Sequence, residues 1–90
     1  MFDLPPRGIV HEHEFEEQLA RLIPDPEQAD EFIAAAQTVL SNNPKSGTQC
    51  KPGGLTWLLP MSPVGNRSVA LFYSFDEETV LFLAILPFDD

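Results

Sequence analysis

The sequence holds a single cysteine, Cys50. An internal disulfide and a zinc site built on cysteines are therefore excluded. A small domain without such staples fits a reducing compartment. Basic residues are also scarce. Five Lys and Arg stand against 14 Asp and Glu, for a formal net charge of -9. Free-standing DNA or RNA binding draws its affinity from neutralised phosphates, so the global charge argues against it and leaves room only for a local basic site. Long apolar runs are missing. The longest, Val80 to Leu86, is seven residues, whereas a membrane-spanning helix needs about 20. Residues 1–8 lack the basic segment and apolar stretch of a signal peptide. These absences lead to the expectation of a soluble, cytoplasmic protein.

What is present suits one small core. Ninety residues make a single domain, with residues 1–8 read as a loosely ordered arm. A chain of this length buries only about 60–65% of the surface its unfolded form exposes. Hydrophobic residues make up 43% of it, including seven Phe, one Trp and one Tyr, which is too apolar for a disordered chain. Eight of the 14 carboxylates fall between Glu12 and Glu31. Most β-branched, aromatic and Leu residues fall between 55 and 86.

Phe15, Leu19, Leu22 and Ile23 form one helical stripe, and Pro24 ends it. Asp25-Pro26-Glu27-Gln28 then starts a second helix that runs to about Leu40, with Ala29, Phe32, Ile33, Ala36 and Leu40 inward. Residues 44–54 read as a loop. Leu55 to Leu59 reads as a strand closed by Pro60, followed by a turn over 61–66. Arg67 to Phe75 alternates with period two, placing Arg67, Val69, Leu71, Tyr73 and Phe75 on one face. Asp76-Glu77-Glu78 turns the chain into a strand from Thr79 to Leu86, apolar on both faces. Gly8 to His13 is a candidate first strand. The expectation is an α+β domain: two N-terminal helices packed on one face of an antiparallel sheet, with a short N-terminal strand as an addition.

The ordered segments carry a resemblance. Ile9 to Leu19 looks like an opening strand running into a helix. Val39-Leu40-Ser41-Asn42-Asn43-Pro44-Lys45-Ser46-Gly47 ends a second helix in Asn-Pro and a Gly-bearing loop, and Gly54 to Leu59 supplies the next strand. Arg67 to Tyr73, Asp76-Glu77-Glu78 and Val80 to Leu83 then spell an "Arg … Tyr, acidic turn, apolar strand" hairpin. Over residues 8–87 this set resembles the RelE/ParE toxin superfamily of bacterial type II toxin–antitoxin systems. The resemblance implies a compact toxin fold neutralised by a cognate antitoxin protein. It also implies a target in DNA gyrase or in mRNA at the ribosome.

An RNA-cleaving site needs a base, an acid and cations around the phosphorane. Arg67, Tyr73, Lys45 and Lys51 are the residues available for it, although Arg67 and Tyr73 lie about 20 Å apart along one strand. The acidic Asp89-Asp90 ending favours gyrase inhibition, or a non-enzymatic interaction module on the same fold, over an mRNA interferase. His11 and His13 would point the same way from a strand, but no third ligand of the right type accompanies them, so no metal site is read. No cofactor motif is present either; Pro52-Gly53-Gly54 precedes a strand where a phosphate loop precedes a helix. The apolar excess of the last two strands points to a partner-binding surface built from Phe72, Leu81, Phe82, Leu83 and Ile85. Its occupant would be an antitoxin segment, a second copy in a homodimer, or the chain's own Phe2 and Leu4 arm.

Overall fold

The computed structural model describes residues 8–64 and 67–87. The elements follow the order β-α-α-β-β-β-β. They are β1 (Gly8–His11), α1 (His13–Leu22), α2 (Pro26–Asn42), a 3-10 turn (Pro44–Ser46), β2 (Thr48–Gln49), β3 (Trp57–Val64), β4 (Arg67–Phe75) and β5 (Thr79–Pro87). The five strands form one sheet in the order β1-β5-β4-β3-β2.

The candidate first strand forms ahead of the helices, over Gly8–His11. One expectation is corrected here: the sheet is mixed, not antiparallel throughout. β1 runs parallel to β5, pairing Gly8 to His11 with Thr79 to Phe82, while all other neighbours are antiparallel. Parallel neighbours need a crossover between them. Here the two helices begin that crossover, so β1 can lie beside β5 only because α1 and α2 carry the chain away across one face. The passage from β1 into α1 is direct, and the Glu12 N–H extends the ladder by donating to the Phe82 carbonyl at 2.9 Å.

The start of α2 follows its sequence signals. The Asp25 carboxylate accepts from the Glu27 N–H at 3.0 Å, and Pro26 opens the helix, where its missing N–H costs nothing. Phe32, Ala36 and Leu40 are buried at the expected spacing, as are Phe15, Leu19 and Ile23 on the α1 side. They meet Val69, Leu71 and Tyr73 of β4 and Val80, Phe82 and Ile85 of β5 in one core.

β3 also departs from expectation, because it runs on through Pro60 into residues read as a turn. Pro60 stands opposite Ala70 in the β3–β4 register. Beyond the two residues paired by β2, β3 is an edge. An edge strand tolerates proline where a central strand would lose a ladder hydrogen bond.

A bulge in β5 sets which side chains face the helices. Phe72 pairs with Ala84 and Tyr73 with Phe82, so Leu83 is an extra residue. The phase of β5 changes there. Val80 and Phe82 point to the core, Leu83 and Ala84 both turn to Phe72's face, and Ile85 returns to the core. Strict alternation along Thr79 to Leu86 would place Ile85 with Leu81 and Leu83, and Ala84 and Leu86 with Phe82; the bulge moves Ile85 to the core and Ala84 and Leu86 to the outer face.

Among the described residues, no helix is long and apolar enough to cross a membrane. The arm formed by residues 1–7, with Phe2 and Leu4, lies outside the described residues, as do Asp89 and Asp90.

Candidate functional site

The candidate catalytic set does not converge. Tyr73 lies in the core with its ring fully buried. Its hydroxyl donates to the Pro44 carbonyl at 2.5 Å and accepts from the Gly47 N–H at 3.1 Å. Both hydrogen-bonding roles of the phenol are thus occupied by the connection between α2 and β2. Burial pushes the Tyr73 pKa above its ordinary value of 10.0; the Gly47 N–H pulls the other way, and Cys50 adds a smaller electrostatic push upward. A phenol held in this way acts as a staple between β4 and that connection.

Gly47 is part of the same fitting. A Cβ there would lie 2.6 Å from the Tyr73 hydroxyl oxygen and closer still to the Leu58 carbonyl oxygen. Only glycine allows this approach.

Lys45, Lys51 and Cys50 are exposed around this staple. Arg67 opens β4 six residues away, and its side chain lies outside the described residues.

The two histidines also separate. His11 ends β1 with its ring stacked on Phe82 at a 5.3 Å centroid distance, and against Phe15 at 5.2 Å. Its Nε2 is buried with no hydrogen-bond partner. His13 opens α1 in solvent, with Nε2 3.0 Å from Glu17 Oε1. One is a core aromatic and the other a helix-surface group, because the chain changes from strand to helix between them. Among the described residues no cluster of His, Cys, Asp and Glu could hold a metal ion.

The partner-binding set divides between the two faces of the sheet. Phe82 and Ile85 are fully buried under the helices. Phe72, Leu81 and Leu83 are half-buried on the opposite, outer face. There they join residues outside the sequence-derived set. Val10 stands beside Leu81 in the parallel register. Leu58 stands opposite Phe72, and Ala70 lies between Pro60 and Leu86. Val10 and Leu86 are 50% and 43% exposed, well above what a covered strand shows. Ser and Thr residues of the strands fill much of the rest of this face, and Glu12, extended and two residues after Val10, brings one carboxylate to its border. Among the described residues, no element packs over it. Alternation of Ile9 inward and Val10 outward could have flagged Val10. The Leu83–Ala84 pair had no signal in the sequence, because a bulge depends on the partner strand.

Gln18 is a further structural residue the sequence did not single out. β1 ends at His11, so the last third of β5, paired with β4 on one side, has no strand on its other edge. Gln18 of α1 reaches across and accepts from the Ile85 N–H at 2.9 Å. Next to it a shallow apolar cleft of about 150 Å³ lies between Arg21 and Leu22 of α1 and Leu86 and Pro87 of β5.

The carboxylates lie on other surfaces. Those of α1 and α2 are exposed on the helical layer. The β4–β5 turn adds Asp76, Glu77 and Glu78, whose backbone is fixed by Asp76 Oδ1 accepting from the Glu78 and Thr79 N–H groups at 2.8 Å each. The chain thus has an acidic helical layer on one side and a largely apolar sheet face on the other. No protein-family model matches this sequence, and no curated protein matches it either.

Proposed function

We propose that this chain is the toxin-like member of a RelE/ParE-type toxin–antitoxin pair, and that it works by protein contact across its outer sheet face. The observation that carries the reading is the apolar patch made by two pairings, Val10 with Leu81 and Ala84 with Phe72 and Leu58, joined by the extra residue Leu83 and spread over four strands. Such a face is stabilised when another surface covers it. The element order supports the family part of the reading, since an opening strand, two helices and a terminal hairpin were expected from the resemblance. A protein target such as gyrase, and the antitoxin itself, both fit a surface of this kind.

A second reading is a non-toxic interaction module on the same scaffold. The hydrogen bonds of Tyr73 favour it, because a residue expected in the chemistry is committed to structure. An mRNA interferase acting through Arg67 and Lys45 or Lys51 is the reading with least support.

Induced expression in a bacterial host separates the three. RNA integrity and plasmid supercoiling are followed in the same cells, with soluble, folded protein confirmed. The first reading expects growth arrest with intact RNA, lost in Leu81→Glu and retained in Lys45→Ala, Lys51→Ala and Arg67→Ala. Normal growth would replace it with the module reading. RNA fragmentation abolished by Arg67→Ala would replace it with the interferase.

A further inference from the structure

We infer that the outer sheet face takes a basic amphipathic helix of about three turns, supplied by a partner protein. This rests on the reading of that face as the working surface and adds the chemistry of what covers it.

The free strand edges argue against an added strand as occupant. β1 offers four residues at one end of the sheet and β2 only two at the other, and the part of β3 left uncovered by β2 carries Pro60 and Pro63, which have no N–H to pair. The exposed stretch of β5 is closed at the Ile85 N–H by Gln18 and at Pro87 by the absence of an N–H. A partner therefore covers the face from above. A helix laid on the free face of a sheet completes a helix–sheet–helix sandwich. The apolar row along β5 runs from Leu81 to Leu86, about 17 Å at 3.3 Å per residue. A helix of about 11 residues spans that length at 1.5 Å per residue.

Charge decides between possible helices. The face itself is neutral, but the chain carries a net charge of -9. Glu77 and Glu78 are exposed at the end of the β4–β5 hairpin, next to the apolar row. The ion pairs His13–Glu17 and Arg21–Glu17 lie on α1, in the helical layer. A segment with an apolar stripe and Lys or Arg flanks satisfies both the row and the rim. An acidic segment, or a second copy of this chain, would bring like charges together over the same contact.

The probes are two synthetic 14-residue helices with the same Leu pattern, one with Lys and one with Glu at the polar positions. Binding is measured by fluorescence anisotropy with the full chain at low and moderate salt. The Lys peptide should bind at least about tenfold more tightly than the Glu peptide, and added salt should narrow the gap. Leu81→Ser combined with Phe72→Ser should weaken Lys-peptide binding by about tenfold or more, one order of magnitude being 1.4 kcal/mol. Glu77→Gln with Glu78→Gln should reduce the salt dependence, since salt screens the charges that remain. Thermal unfolding and sedimentation equilibrium confirm that the variants fold and report self-association.

Equal binding of the two peptides would overturn the inference. So would loss of binding in Glu14→Gln with Glu16→Gln, on the helical layer, while the outer-face variant still binds. A dimer that dissolves in the outer-face variant would assign the face to a second copy. If Leu81→Glu abolishes growth arrest but the Lys peptide does not bind, the face keeps its role and the inferred partner chemistry is wrong.

Discussion

Replacing Tyr73 with Phe tests whether this tyrosine is a structural staple. The change keeps the buried ring and deletes one oxygen. That oxygen donates to the Pro44 carbonyl and accepts from the Gly47 N–H. Pro44 is buried, so its carbonyl loses its partner with no water to replace it; Gly47 is half-buried and can be partly rehydrated. A buried polar group left unpaired costs about 1–3 kcal/mol, so Tyr73→Phe should destabilise the fold by about 2 kcal/mol. For a domain of this size that is a fall in Tm of roughly 8–16 °C. Thermal unfolding followed by circular dichroism gives the number. Amide exchange at Gly47 gives the location, and should accelerate beyond the global loss.

The pH dependence has a definite sign. The folded pKa of Tyr73 lies above its unfolded value of 10.0, mainly through burial. The folded state therefore holds the proton more tightly. This contribution is complete below pH 10 and is lost as pH rises through the folded value. Wild type should lose stability in that alkaline range faster than Tyr73→Phe does. A Tm change under about 3 °C, with Gly47 exchange and the alkaline profile both unchanged, would refute the staple.

Other substitutions probe the same framework. Gly47→Ala should cost about 1–3 kcal/mol by overpacking, because the Leu58 carbonyl that a Cβ would meet is strand backbone and cannot turn aside; urea unfolding measures it. His11→Phe should keep the stack on Phe82 and Phe15 while removing a buried nitrogen without a partner. It is expected to raise stability by about 1 kcal/mol, read as an increased urea midpoint. Gln18→Leu should cost about 1 kcal/mol by stranding the Ile85 N–H, whereas Gln18→Glu, which keeps an acceptor, should cost less; amide exchange at Ile85 separates the two.

Legibility in the sequence followed the range of the interactions. The start of α2 is written in adjacent residues: Asp25 caps and Pro26 opens, so a local reading finds it. The inward set Val69, Leu71 and Tyr73 is written in simple alternation on a strand without irregularity. Ile85 was misplaced because the Leu83 bulge exists only in the pairing of β5 with β4, and one inserted residue moves every later side chain to the other face; Phe82 lies before the bulge, and its alternation with Val80 already points it to the core. Pro60 looked like a strand end because its tolerance depends on lying at an edge, which is a property of the assembled sheet. Tyr73 lies on the inward face of β4, as its alternation with Val69 and Leu71 indicates. Its commitment to Pro44 and Gly47 joins positions almost thirty residues apart, and no local pattern encodes that.

The parallel pairing of β1 with β5 has a consequence for how the chain reaches this state. The contacts Gly8 with Thr79 and His11 with Phe82 join the two ends of the described chain, some seventy residues apart. Closing a loop of that length must be paid for in entropy before the contact returns anything, and such non-local pairing slows folding. β5 also carries Val80, Phe82 and Ile85, which the core requires. During synthesis the helices emerge before β5 and have no central strand to rest on until it has followed them. Folding of the core therefore waits for β5. In the interval Phe15, Phe32 and Leu40 stay exposed, and a waiting partner or chaperone would have access to them.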